Sequence, residues 1–267
     1  MPEVSSNDTE TTPSRLAVWL RRVGPYATVA LGASVTLLVW LGAFYYLSAE
    51  KTQAINAAQH STANLARAFE EQIIRSVRAV DQVLLYMRDA YAHDPTGFDI
   101  NQWARSSGIL RDLAFQVAII DKNGHLVTSN LGQTGSKVDL SDREHFKVHA
   151  QGHTDQLFIS KPIIGRVSGK PSINMTRRIT MPDGSFGGVA VVSFDPEYLT
   201  RFYDTIDIGE RGIVSLVGTD GVVRARSVRG AETAQVGKSI AVGGKVLEAF
   251  ARSPSGSFTN VSPLDGI

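Results

Sequence analysis

The polar pattern of the chain is interrupted longest between Pro25 and Leu47, PYATVALGASVTLLVWLGAFYYL, and no charged residue occurs between Arg22 and Glu50. A helix crosses a bilayer with roughly 20 apolar residues, and a lone segment in lipid can satisfy its own backbone only as a helix. The pattern therefore predicts a membrane span over 25–48. Trp40, Tyr45 and Tyr46 sit toward its C-terminal side, where amphipathic rings favour the interface. A buried core helix and a cleaved secretory signal are the competing readings. The stretch is longer than a usual signal core, and Leu47-Ser48-Ala49 is a poor cleavage site. Arg15, Arg21 and Arg22 precede the span, whereas no Lys or Arg occurs from Thr52 to Ala66. Positive residues stay inside, so residues 1–24 form a cytoplasmic tail. The rest is expected beyond a cell inner membrane, crossed once, with the bulk of the chain periplasmic or otherwise extracytoplasmic.

From Ser48 to His93 there is neither Gly nor Pro. Ile55, Ala58, Thr62, Leu65, Phe69, Ile73, Val77, Val80, Leu84, Met87 and Tyr91 recur in steps of three or four, which is helical periodicity. Asp94-Pro95-Thr96-Gly97 ends the pattern. One long helix over 49–94, continuous with the span, is expected. Its apolar stripe needs a partner: the domain's own sheet on one face and the same helix of a second subunit on another, which predicts a homodimer.

Beyond it a short helix is expected over Phe98–Gly108, with Asp99 as N-cap. The period then changes to two. Strands are predicted at 115–121, 125–128, 157–160, 171–180 and 186–194. A helix over 141–150 is capped by Ser141 or Asp142 with Glu144 available for a capping box, and another starts at Asp195-Pro196-Glu197. The hairpin VAIIDKNGHLVTSN recurs 97 residues later as VSLVGTDGVVRARS. That offset fits two small modules of one fold in tandem, 97–205 and 206–267. The second carries a hairpin, a helix near Gly243–Ala251 and a strand at 257–260, and is expected to be incomplete. The fold class is α+β (α/β in the broad sense).

Composition narrows the function. Of 267 residues, about 215 follow the span, enough for one large or two small domains. A net charge of +1 gives no electrostatic case for nucleic acid. The absence of cysteine excludes thiolate metal sites and cysteine nucleophiles.

Three segments gather polar groups: DREHF (142–146), KPIIGRVSGKPSINMTRRI (161–179) and DGSFGGVAVVSFDPEYL (183–199). Together, over 50–267, they resemble the double Cache (PDC-type) sensor domain of bacterial membrane receptors. That resemblance implies a long helix followed by two PAS-like modules with mixed antiparallel sheets. It also implies a small ligand in the membrane-distal module, 97–205. Signals would pass to an output domain not present in this chain, such as a diguanylate cyclase, histidine kinase or chemoreceptor. In amino-acid-binding members an Arg followed by two aromatics holds the ligand carboxylate, and this pattern falls on Arg143, His145 and Phe146. The acid that takes the ligand amine has no counterpart in Pro162-Ile-Ile-Gly165-Arg166, so the resemblance points to a carboxylate or other anion without an amine. On the strand 172–180, Ser172, Asn174, Thr176 and Arg178 share one face. Asn174, Thr176 and Arg178 are therefore further ligand candidates, and Arg143 and Arg178 are expected to converge on one anion. The alternative is a solvent-exposed face, or an Arg178 paired with Asp142 or Asp195.

His145, His149 and His153 have helical spacing, but Gly152 interrupts the helix and no carboxylate is placed as a further ligand, so no metal and no cofactor is expected. No G-x-S-x-G, H-E-x-x-H or phosphate-loop pattern occurs. An enzyme is therefore not expected in this chain. An extracytoplasmic hydrolase using His145 as base, and a ligand-free structural anchor, are the two readings set against the sensor.

Overall fold

A computed structural model describes residues 15–106, 114–132, 138–152, 154–201, 208–209, 212–228, 235–240 and 245–257. The chain divides into two compact units between Ser61 and Thr62.

Helix α1 (Arg15–His93) is continuous through the boundary. In the first unit every side chain from Tyr26 onward is exposed. One helix, within Tyr26–His93, is long and apolar enough to cross a membrane. In the second unit the stripe read from periodicity is the buried one: Phe69, Val80, Leu84, Met87 and Tyr91 are all covered, Leu84 and Met87 completely. Asp94 stops the helix, its Oδ1 accepting from the Gly97 N–H at 2.9 Å and the Thr96 hydroxyl at 3.0 Å.

The second unit continues with α2 (Ile100–Ser106), capped by Asp99 through the Asn101 and Gln102 amides. Strands β1 (Gln116–Asp121) and β2 (Leu126–Ser129) form the first hairpin, followed by α3 (Glu144–Gln151). Next come β3 (Phe158–Ile159), β4 (Ile163–Ile164), β5 (Pro171–Thr180), β6 (Phe186–Phe194) and the one-turn α4 (Tyr198–Arg201). The sheet is antiparallel in the order β2-β1-β6-β5-β3, and β4 also pairs with β5. Alternation on these strands separates two cores. Val117, Ile119, Ile173, Met175, Ile179, Ala190 and Val192 pack against α1. Ala118, Ile120, Leu126, Leu140, Phe146, Val189 and Val191 form the opposite layer, covered by α3.

The repeat is structural as well as sequential. Hairpin β7 (Ile213–Val217) and β8 (Val223–Val228) reproduces the first hairpin pair by pair. Ile119 faces Thr128 and Leu216 faces Ala225, with the register shifting immediately after Ile119 and after Leu216. Helix α5 (Lys245–Arg252) lies where a second helix was expected, with no buried residue. Of the strand expected at 257–260, all but Ser257 lies outside the described residues.

Two expectations are corrected. Helix α3 begins at Glu144, and its N-cap residue is Arg143, with no side-chain cap. Ser141 and Asp142 belong to the preceding turn because the Asp142 carboxylate is taken by Arg166. Helix α4 starts later than Pro196, although Asp195 Oδ1 does make the expected cap contact with the Glu197 amide.

Candidate functional site

On the sheet face away from α1, three polar side chains stand in one row across adjacent strands. Gln116 on β1 faces Ser193 on β6, which faces Asn174 on β5. All three are buried. Gln116 Nε2 donates to Ser129 Oγ at 3.2 Å, whereas the Asn174 and Ser193 side chains have no partner among the described residues. The row borders a cavity of about 30 Å³, walled by Ala118, Ile120, Leu126, Leu140 and Val191, and closed by Arg143, His145 and the 163–167 segment. That volume suits a few ordered waters, so a ligand must be only a few heavy atoms in size or must displace the covering loop.

Arg143 and His145 are presented by the first turn of α3. Arg143 Nη2 donates weakly to the Ile164 carbonyl at 3.4 Å, and its buried Nε has no hydrogen-bond partner. His145 is only 5% exposed, and its Nδ1 is also buried without a partner. Burial, then the adjacent Arg143 charge and His149, push the His145 pKa down to about 4 against the opposing pull of Asp142. It is therefore neutral near pH 7. A cationic guanidinium and a neutral imidazole with free valences at one cavity are a poor place for a cation and a good one for an anion or hydrogen-bond acceptor.

Arg166, on the covering loop, reaches across the cavity mouth. It forms a two-pronged pair with Asp142 at 2.8 and 2.9 Å and donates to the Asp139 carbonyl. The same contact holds the Asp142 pKa down at about 2. The Asp142 carboxylate is thus already committed.

The remaining sequence candidates fall elsewhere. Phe146 is core, tilted against Phe186 at 5.9 Å between ring centres. Thr176 lies beneath α3, donating to the His145 carbonyl at 3.3 Å and bonded to His149 Nε2 at 2.9 Å. Arg178 shares the face of Asn174 but does not meet Arg143. Its Nη1 binds the His149 and Gly152 carbonyls at the end of α3, and its guanidinium lies 4.5 Å over the Phe186 ring. The exposed carbonyls of a helix C-terminus are a strong attractor for a guanidinium, which is why the two arginines do not converge. His149 is spent on Thr176, and His153 lies outside the described residues. No group of three potential metal ligands gathers among the described residues.

Gln116, Ser193 and Arg166 are site residues that sequence reasoning missed. Ser193 did carry a signal, as a polar residue inside an otherwise apolar strand, whereas Gln116 opens its strand.

No protein-family model matches the chain, and no curated protein does. Solved structures do. The extracellular domain of a candidate histidine kinase, rpHK1S-Z16, superposes with a TM-score of 0.68 at 28% identity, covering 77% of this chain and 83% of that one. The ligand-binding domain of the Pseudomonas fluorescens chemoreceptor CtaA, in complex with L-isoleucine, gives 0.55 at 16% identity, covering 79% and 82%. That of the Pseudomonas aeruginosa chemoreceptor PctC, in complex with GABA, gives 0.52 at 16%, covering 69% and 80%. The chain thus combines a membrane-length apolar helix with the fold of extracellular ligand-binding domains of receptors.

Proposed function

We propose that this chain is the membrane-anchored, extracytoplasmic sensor part of a signalling protein of the double Cache type. It binds a small anion, a carboxylate above all, in the cavity beneath Arg143 and His145. The observation that carries this reading is the pair of buried, unpartnered polar atoms, Arg143 Nε and His145 Nδ1, at one cavity. An unmade buried hydrogen bond is costly, and an anionic acceptor would satisfy it. Residues 97–205 form the ligand-binding module, and 206–267 belong to a second module of the same kind, a division supported by the matched hairpins. L-Isoleucine and GABA carry a carboxylate and an amine; this cavity offers groups for the first and none for the second.

Binding would alter how α1 sits on the sheet, and a homodimer through that helix would carry the change inward. Ile74 and Tyr86, 40% and 69% exposed, are apolar side chains that α1 leaves uncovered for such a partner. A kinase-type output is favoured over a diguanylate cyclase, because the 28% identity is to a kinase's extracellular domain. The hydrolase reading lacks its central contact: no hydroxyl is hydrogen-bonded to the His145 imidazole among the described residues, the Thr176 hydroxyl meeting only its backbone carbonyl.

The test is calorimetric titration of the full chain in detergent with propanoate and with propanamide, its uncharged analogue. The acid is expected to bind and the amide not, and Arg143→Ala is expected to remove the acid's binding. Equal binding of both, or retention in Arg143→Ala, would end the anion assignment.

A further inference from the structure

Resting on that reading of the cavity, we propose that its ligand is a short-chain carboxylate carrying an uncharged polar substituent, a hydroxyl or a carbonyl, and no amine. The Arg143 and His145 pair accounts for one end of such a molecule. The other end is specified by the row across the sheet. Asn174 and Ser193 are register partners on β5 and β6, both about 4% exposed, both bordering the cavity, and neither side chain is hydrogen-bonded to a described residue. Gln116, their neighbour on β1, spends its amide nitrogen on Ser129 and keeps its oxygen available. The Asn174 amide, the Ser193 hydroxyl and the Gln116 oxygen thus stand at a cavity whose other sheet-side walls are apolar, where a polar group of a ligand would meet them.

The chemistry of the row selects the substituent. Amide and hydroxyl groups each donate and accept, so they suit a hydroxyl or a carbonyl equally. None of them can neutralise an ammonium. A buried ammonium needs a carboxylate partner, and no Asp or Glu borders the cavity among the described residues. Asp142, next to Arg143 in the chain, is bound at both oxygens by Arg166, and two guanidinium groups border the same space. The apolar walls and the small volume limit the carbon skeleton to a few atoms.

The experiment titrates the full chain in detergent, at pH 7, with four acids of one skeleton: propanoate, 2-hydroxypropanoate, 2-oxopropanoate and 2-aminopropanoate. The hydroxy and oxo acids should bind at least tenfold more tightly than propanoate, and the amino acid more weakly than propanoate. Ser193→Ala and Asn174→Ala should each shrink the ratio of substituted-acid to propanoate affinity, a comparison made within each variant and so insensitive to lost stability. If propanoate binds as tightly as the substituted acids and Arg143→Ala abolishes both, the substituent assignment is overturned and the anion site stands. Tighter binding of the amino acid also overturns it. If none of the four binds, or Arg143→Ala leaves binding intact, the cavity reading itself fails.

Discussion

Arg177 Nε and Nη2 each lie 2.7 Å from a carboxylate oxygen of Asp81, a two-pronged pair that fastens β5 to α1. The next residues on either side, Thr176 and Arg178, point to the opposite face and hold α3. One strand therefore grips the cavity's helix on one side and the long helix on the other. Asp155, on the segment after α3, extends the tie by accepting from both Arg88 of α1 and Arg177.

This arrangement predicts a separation of stability from binding. The Arg177 and Asp81 side chains are 13% and 19% exposed, so removing one partner strands a largely buried charge. Asp81→Ala is expected to cost about 2–3 kcal/mol, a drop of roughly 4–12 °C in thermal midpoint for a domain of this size. Carboxylate affinity at 25 °C should change by less than the roughly tenfold loss expected of Arg143→Ala. A change in affinity with no change in midpoint would contradict the role assigned to the pair.

The same logic distinguishes the two arginines of the opposite face. Arg178→Ala removes a cap from the α3 carbonyls and a ring contact, and is expected to destabilise by about 1–3 kcal/mol with little effect on ligand affinity. Arg143→Ala should do the reverse: at least tenfold in affinity and little in thermal midpoint. Paired thermal-melt and titration data on both variants check this crossover.

Alternation along β5 makes its two faces legible in the sequence: Asn174, Thr176 and Arg178 do share one face, and Ile173, Met175 and Ile179 the other. The position of the site along that face is not legible there. Asn174 and Arg178 are separated by about 13 Å of extended chain; the first turn of α3 brings Arg143 and His145 to the cavity at Asn174, and its C-terminal carbonyls take Arg178 at the other end. Sequence periodicity reports which side a residue faces, not what crosses above it. The Arg166–Asp142 pair is illegible for a related reason, since it joins two loops whose approach is set by the whole sheet. The repeated hairpin is legible because local alternation and turn residues dictate it; the matching register shifts emerge only in the structure.

Acid should weaken the fold through α3. Burial pushes both His145 and His149 down to about 4, aided by Arg143 at the first and by Arg178 and Arg177 at the second. Asp142 and Asp155 oppose this from the flanking segments, and the Thr176 contact opposes it at His149. A histidine whose pKa is lower folded than unfolded takes up its proton preferentially in the unfolded chain. Stability is therefore full above about pH 6.5, falls as pH drops from there to 4, and levels out below. The loss is up to roughly 3 kcal/mol per histidine. Thermal midpoints between pH 7.5 and 4 should show this slope, and His145→Gln with His149→Gln should flatten it. An unchanged slope in the double variant would mean that other groups carry the acid response.

Gly188 provides the most local test of how the cavity floor is built. It sits on β6 opposite Asp121 of β1 and Ile179 of β5, beside the point where the β5–β6 register shifts. Its φ is +133, and a Cβ there would stand 2.0 Å from the Ile120 carbonyl oxygen. Ile120 borders the cavity, so any relief of that clash must push β1 away from β6 under the ligand. Gly169 makes a matched control: its φ is +69, but a Cβ would meet nothing within 4 Å. Gly169→Ala should cost only the backbone term, about 1–2 kcal/mol. Gly188→Ala adds a backbone collision in a packed sheet and should cost more than about 3 kcal/mol, lowering carboxylate affinity as the row Gln116–Ser193–Asn174 loses its register. If the two variants melt at the same temperature, the close approach of β6 to Ile120 is not a constraint on the fold.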